Sequence, residues 1–228
     1  MIDFYFNLGP NPMKVALLLE ELELQYRLIP VDMLKGQQFD THFTTLNPNN
    51  KVPVIVDDGT TVFDSNAILL FLAEKHGRFL PSNDEKARGA LLSWLMFVAT
   101  GVGPYSGQAV HFRHYAPEPK DYGIERYLFE ARRHYGIIDA HLADRPWMLG
   151  DDYTIVDMAL WGWARNIVRV IGEDALIRFP RIAQLLETID ARPAAQRAIA
   201  LREAHNFKDQ FDEEAKHSLF RHLFPAGG

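Results

Sequence analysis

The stretch NKVPVIVDDGTTVFDSNAI, residues 50–68, reads in turn as a loop, a strand, a tight turn, a second strand and the mouth of a helix. Val54, Ile55 and Val56 form one β-prone run and Thr61, Val62 and Phe63 another, with Asp57-Asp58-Gly59 between them. An Asp-Gly pair between two such runs is a strong short-range hairpin signal. Pro53 stands at the start of the first run, where a proline either marks a strand edge or holds a cis bond. Asp64, Ser65 and Asn66 follow the second run, and short polar side chains there cap a helix whose free amides favour an anion.

Working outward, Ile2 to Phe6 is a short β-prone run and residues 12–24 place Val15, Leu18, Leu19 and Leu22 at helical spacing. Residues 26–31 return to a strand-like pattern, which makes a βαβ unit: a parallel pair joined by a right-handed crossover. A polar stretch around residues 35–40 and a short helix lead into the hairpin. Residues 65–76 then form a helix with Ile68, Leu69 and Leu72 on one face and Gly77 at its C′ position. The order is βαβ, α, ββα, a mixed four-stranded sheet with helices against it.

Beyond residue 83 the alternation stops and helical patterns take over, with Pro81, Ser82 and Asn83 as the linker. Helices are expected over residues 86–112, disturbed at Gly101-Val102-Gly103-Pro104, and over 121–143, 155–170 and 180–191, with Pro193 opening another. Thr154-Ile155-Val156-Asp157 is a variant capping box ahead of an apolar run. The expected division is an α/β domain at 1–80, an all-helical domain at 86–204 and an extension at 205–228. The extension carries Phe207, Phe211, Leu219, Phe220, Leu223 and Phe224, so it is expected to dock on its own chain or on a partner subunit.

Composition excludes several classes of function. The net charge of −6 comes from 30 acidic and 24 basic residues interspersed along the chain, with no basic block to pair with phosphates, so nucleic acid is not an expected partner. No apolar run approaches the ~20 residues of a membrane span. Asp3 comes within two residues of Met1, where a signal peptide would be basic and then apolar, so the expected location is cytoplasmic. There is no cysteine, which removes disulfide staples, thiolate zinc sites and any protein-borne thiol nucleophile. If the protein handles sulfur, the sulfur arrives with a ligand. His111 and His114 share a spacing of three without an HExxH pattern, and no metal site is expected. The glycines at 101, 103 and 107 lie in a helical region without the preceding strand of a dinucleotide fingerprint, so they read as a helix kink beside a cleft. Tyr105, Gln108, His111 and Phe112 then either line a second-substrate pocket or simply pack.

The alternating N-terminal unit, N-K-V-P at 50–53, F-D-S-N-A-I at 63–68 and T-I-V-D at 154–157 together resemble the cytosolic glutathione transferase family, over nearly the whole chain. Gly9-Pro10-Asn11, Lys35-Gly36-Gln37-Gln38-Phe39, Pro48-Asn49-Asn50-Lys51, Gly103-Pro104, Gly107-Gln108, Glu125-Arg126-Tyr127 and the Phe-rich acidic tail resemble its bacterial Nu class, glutathione-dependent disulfide-bond reductases that also reduce hydroperoxides. The resemblance implies a thioredoxin-like N-terminal domain, an all-α C-terminal domain and a homodimer. It also implies glutathione as co-substrate, no metal, and a small disulfide or peroxide as second substrate. Pro53 would be cis, leaving the Val52 backbone to pair with the cysteinyl part of glutathione. Asp64 and Ser65 would hold the γ-glutamyl group, Gln38 and Lys51 would meet the glycyl end, and Arg133, or its neighbour Arg132, would reach the bound peptide.

One position departs from the class. Its usual threonine is Gly9 here, and the nearest hydroxyl, Tyr5, lies inside the first strand. The expected thiolate donor is therefore Asn11, read as the N-cap of the first helix with Pro12 at the first helical position and the helix amides behind it. The alternative is that Asn11 only caps. The expected activity is thiol–disulfide oxidoreduction using glutathione thiols alone. The alternatives are glutathione conjugation to electrophiles and a non-catalytic glutathione-binding regulator, the latter favoured by Gly9.

Overall fold

The structure is a computed structural model that describes residues 1–221. Four strands, β1 (Ile2–Phe6), β2 (Tyr26–Pro30), β3 (Val54–Asp57) and β4 (Thr60–Phe63), form one sheet in the order β2-β1-β3-β4. β1 and β2 are parallel, joined through helix α1 (Pro10–Glu21), while β3 is antiparallel to both β1 and β4. The hairpin turn is Asp58-Gly59, both at positive φ (50° and 82°), the conformation a two-residue turn between twisted strands requires. Two single 3₁₀ turns, Met33–Lys35 and Gln37–Phe39, and the short helix α2 (Thr41–Leu46) lie between β2 and β3. Helix α3 (Ser65–His76) closes the unit and ends at Gly77 with φ 62°.

The rest of the described chain is helical: α4 (Glu85–Phe97), α5 (Gly103–His114), α6 (Asp121–His141), α7 (Ile155–Ala164), α8 (Ile167–Ile171), α9 (Ala175–Arg178), α10 (Pro180–Asp190), α11 (Pro193–Ala204) and α12 (Glu213–Leu219). Where the glycine pattern predicts a kink, a π-helical turn, Val98–Val102, joins α4 to α5. The single helix expected over residues 155–170 is instead two. The Asn166 side chain donates to the Gly162 carbonyl oxygen, satisfying the end of α7 locally before α8 begins.

Strand alternation decides what each side chain meets. Phe4 and Phe6 are fully buried against the helices, whereas Tyr5 faces the opposite side of the sheet among Val31, Phe43, Val52 and Val54. Helix α1 is buried on nearly every side, and its Val15 to Leu19 run shares one apolar cluster with Met158 to Trp161 of α7. Ion pairs tie the far end of α1 to α11 and the residue preceding it: Arg192 to Glu21 and Arg197 to Glu20.

Past α11 the chain crosses back over the first strand. His205 and Phe207 pack edge-on against Phe6, the Lys208 amide donates to Asp32 Oδ2, Phe211 meets Tyr115, and Phe220 meets His111. Leu223 and Phe224 lie outside the described residues.

Candidate functional site

The turn after β1 starts α1 earlier than the sequence predicts. Gly9, not Asn11, is the N-cap, and Pro10, Asn11 and Pro12 are the first three helical residues. Proline suits a first turn because its missing N–H has no helical acceptor there, which is why the helix extends back to Pro10. The two prolines also leave Asn11 with the one backbone N–H among those three positions, and the Met13 amide bonds to the Gly9 carbonyl oxygen. A bank of helix amides is therefore absent; Asn11 itself carries both the free N–H and a carboxamide. Asn7 completes the turn, its Oδ1 accepting from the Gly9 N–H at 2.8 Å. A Cβ at Gly9 would lie 2.9 Å from that oxygen, so a larger residue here would have to displace the Asn7 side chain.

Trp163 of α7 orients Asn11. Its indole N–H donates to Asn11 Oδ1 at 3.0 Å. An indole nitrogen is a donor only, so the carboxamide must present its oxygen to Trp163 and its NH₂ elsewhere. Tyr5 takes no part here; its hydroxyl is 3.0 Å from His42 Nε2 on the other face of the sheet.

The Val52–Pro53 bond is cis, immediately before β3, and Val52 is buried while Lys51 is exposed. Asp64 adopts φ 71°, a conformation rare outside glycine that points to a locally determined site. Its Oδ1 accepts from the Asn66 and Ala67 amides at 2.9 and 3.1 Å, capping α3 and leaving Oδ2 for another donor. Ser65, the first residue of α3, is buried, and its Oγ accepts from Lys14 Nζ at 3.4 Å. Lys14 is wholly buried in α1, one turn beyond Asn11 on the same face. Burial pushes its ammonium down to about 7, against the opposing field of the Asp64 carboxylate. Gln38 Oε1, Asn50 Oδ1 and Asn66 Oδ1 are buried acceptors without a hydrogen-bond partner. All three lie in or next to the segments the sequence reading expects to bind ligand, and orphaned acceptors suit a ligand that brings an ammonium and amide N–H groups.

Other expected site residues are not gathered here. The Arg133 guanidinium is held by Glu130 at 2.8 Å, which Arg126 also bonds, and Arg132 is half-buried with its Nε unpaired. Tyr105 packs between Tyr127 and His134, Phe112 stacks on Tyr127, His111 meets Phe112 and Phe220, and Gln108 is exposed. A pocket of about 320 Å³ opens beside the turn instead, lined by Leu8, Gly9, Met33, Tyr115, Phe207 and Leu219 among others. Sequence spacing gives a hint of Tyr115, one turn beyond His111. The apolar pattern of the extension marks Phe207 as a docking residue but not as a wall of this pocket, and nothing local announces Trp163 or Lys14, whose roles depend on elements brought together from distant parts of the chain. Among the described residues no group of three or more potential ligand side chains converges as a metal site, and no helix is long and apolar enough to cross a membrane.

Comparison with known proteins matches both parts of the chain to one family. Residues 3–74 match the glutathione S-transferase N-terminal domain and residues 121–188 the glutathione S-transferase C-terminal domain. The chain is 44% identical over 206 residues to the disulfide-bond oxidoreductase YfcG of Escherichia coli (strain K12), an alignment covering 87% of this chain and 94% of that protein. A glutathione transferase family member from Pseudomonas fluorescens pf-5, solved with two glutathione bound, superposes with a TM-score of 0.81 at 36% identity, covering 87% of this chain and 92% of that one. A glutathione transferase from Pseudomonas putida, solved with one glutathione disulfide bound per subunit, gives 0.80 at 36% identity, covering 87% and 90%. With a thioredoxin-like sheet unit followed by an all-helical second half, the chain belongs to the glutathione S-transferase family.

Proposed function

We propose that the protein is a glutathione-dependent thiol–disulfide oxidoreductase in which Asn11 holds the reacting thiolate and both sulfurs that are oxidised belong to glutathione. The observation that carries this reading is the Asn11 carboxamide, which Trp163 turns so that its NH₂, with the residue's own free N–H, is offered as a pair of donors. A thiol of pKa near 8.5 needs a shift of about 2 units to be largely ionised at pH 7, or about 3 kcal/mol. Two hydrogen bonds to a charged group supply roughly 1.5 to 3 kcal/mol each, so no hydroxyl at position 9 is needed.

The rest of the ligand follows from its charges. Glutathione brings an ammonium, two carboxylates and two amides. Asp64 Oδ2 suits the ammonium, Ser65 the neighbouring carboxylate, the Val52 backbone the cysteinyl amide, and Gln38 and Lys51 the glycyl end. Arg133, released from Glu130, or Arg132 would reach the peptide from α6. The same reading divides the chain into a glutathione-binding domain at 1–80, a helical domain at 86–204 and an extension at 205–228. It also carries a homodimer, which the exposed Leu92 and Met96 of α4 and Phe63 of the sheet edge support.

The chemistry balances without a protein thiol. A first glutathione thiolate attacks one sulfur of the substrate disulfide, forming a mixed disulfide and expelling a substrate thiolate. A second glutathione thiolate attacks the glutathione sulfur of that mixed disulfide, yielding glutathione disulfide and the second substrate thiolate, and both substrate thiolates take up the protons the glutathiones lost. In this scheme the pocket beside Gly9 receives the second glutathione, and the relatives solved with two glutathiones or one glutathione disulfide support that reading. The test is to assay the pure protein with glutathione against a small disulfide, a hydroperoxide and an aryl halide. Disulfide turnover is the expected result. Turnover of the aryl halide alone would assign conjugation, and binding without turnover a non-catalytic role. Calorimetry should find two glutathiones or one glutathione disulfide per subunit, and saturation at a single thiol would overturn the two-glutathione scheme.

A further inference from the structure

Lys14 is a lysine with 1% of its surface exposed, on the helix that carries Asn11, and the reading above does not use it. Its stem is pinned. A Cβ on Gly162 of α7 would lie 2.5 Å from Lys14 Cγ and 2.4 Å from the Pro10 carbonyl oxygen, so α7 packs directly on this part of α1. Its Nζ is directed at Ser65 Oγ, the first hydroxyl of α3. From α3 the facing charge is the Asp64 carboxylate. α7 presents the bare backbone of Gly162, with Arg165 beyond it bound to Asp190, and on the α11 side Arg192 and Arg197 are held by Glu21 and Glu20 at the other end of α1. A buried ammonium with one hydroxyl acceptor is an expensive arrangement unless a further anion completes it.

A lysine ammonium donates and cannot accept, so it fills a Ser65 lone pair and turns that hydroxyl's proton outward. Trp163 treats Asn11 in the same way: a donor-only group behind an adaptable one makes the adaptable group a donor towards the ligand. We propose that Lys14 is a positioning residue for the α-carboxylate of the bound γ-glutamyl group, fixing Ser65 as an outward donor and supplying the buried positive charge opposite that carboxylate. The inference rests on glutathione binding at Asp64 and Ser65 as read above, and adds that binding is coupled to protonation of Lys14. Without ligand the ammonium is partly discharged near neutral pH. The arriving carboxylate holds it charged, so the complex takes up a proton, and affinity falls as pH rises.

The test uses S-methylglutathione, whose blocked thiol cannot titrate, injected into the full chain at pH 7 in two buffers of different ionisation enthalpy. The expected result is uptake of about half a proton per ligand, because a group near its pKa is half-charged before binding and fully charged after. A glutaryl analogue lacking the ligand's ammonium should show the same uptake, which excludes that group as its source and needs no variant. Lys14→Met should abolish the uptake and weaken binding at pH 6.5 about tenfold or more, the scale of a lost hydrogen bond to a charged group. On a Ser65→Ala background the same change should weaken binding much less. Tight binding of S-methylglutathione without proton uptake at pH 7 and 8, or undiminished affinity in Lys14→Met, would overturn the role of Lys14 alone. Failure of the unmodified protein to bind the ligand at any pH would overturn the glutathione-binding reading beneath it.

Discussion

Trp163 reaches Asn11 across 152 residues of chain, and the polarity of that one hydrogen bond sets what the first turn of α1 offers a ligand. On the proposed mechanism, Asn11→Ala removes a donor to the glutathione sulfur. It should lower turnover about 10- to 100-fold and raise the pH at which bound glutathione ionises by roughly 1 to 2 units, read from thiolate absorbance. An unchanged ionisation profile would remove Asn11 from the mechanism. Trp163→Phe keeps an aromatic ring but loses the indole N–H and frees the carboxamide to turn, and should cost roughly two- to tenfold in kcat/KM beyond any loss of folded protein. Lys14 makes a prediction for the unliganded protein. Its folded value of about 7 lies below the 10.5 of the unfolded chain, so between those values the unfolded state binds more protons. Its burial therefore costs stability fully below pH 7, and the cost is relieved as pH rises from 7 towards 10.5. Denaturant midpoints should carry this upward term in the wild type and lose it in Lys14→Met.

At the scale of elements, the two ends of the sheet unit are set locally. Asp58-Gly59 turns the hairpin and Asp64 caps α3, both with positive φ, and both were legible because few residue types adopt those conformations. The capping box of α7 was legible because a hydroxyl N-cap with an acidic residue three positions on is a short-range pattern, but its reach was not. Asp157 accepts from Thr154 N at 2.8 Å as expected, and also from Met148 N at 2.7 Å, nine residues upstream. Thr154→Ala should therefore cost about 1 kcal/mol. Asp157→Ala should cost roughly 2 to 5 kcal/mol, since it leaves two buried amides unpaired. Urea midpoints of the two variants would check the order, and equal losses would refute the Met148 contribution. The start of α1 and the break after α7 were misread because Pro10 and Asn166 act through neighbouring backbone, which periodicity does not register.

For the whole molecule, the close approach of α7 to α1 positions the site. A Cβ at Gly162 cannot be absorbed by a flexible side chain alone, because one of its neighbours is the Pro10 carbonyl oxygen. Gly162→Ala should lower stability by about 1 to 3 kcal/mol and shift Pro10 and Asn11, so that turnover falls more than an equally destabilising change elsewhere in the core would cause. Equal activity per folded molecule would show that the α1–α7 spacing does not set the site. The segment after α11 covers Phe6 and forms one wall of the pocket beside Gly9. That geometry depends on contacts between residues about two hundred positions apart.

The sequence by itself determined the order of strands and helices in the sheet unit, the helical character of the second part, the hairpin, the cap at Asp64 and the absence of a protein thiol, because each depends on residue type and short-range spacing. Only the tertiary structure decided that Gly9 and not Asn11 caps α1, that Trp163 and Lys14 stand behind Asn11 and Ser65, and that Tyr115 and Phe207 wall the pocket. Hydrogen-bond polarity and the burial of a charge are properties of what surrounds a group. For these residues the surroundings come from helices and a tail that no local pattern brings together.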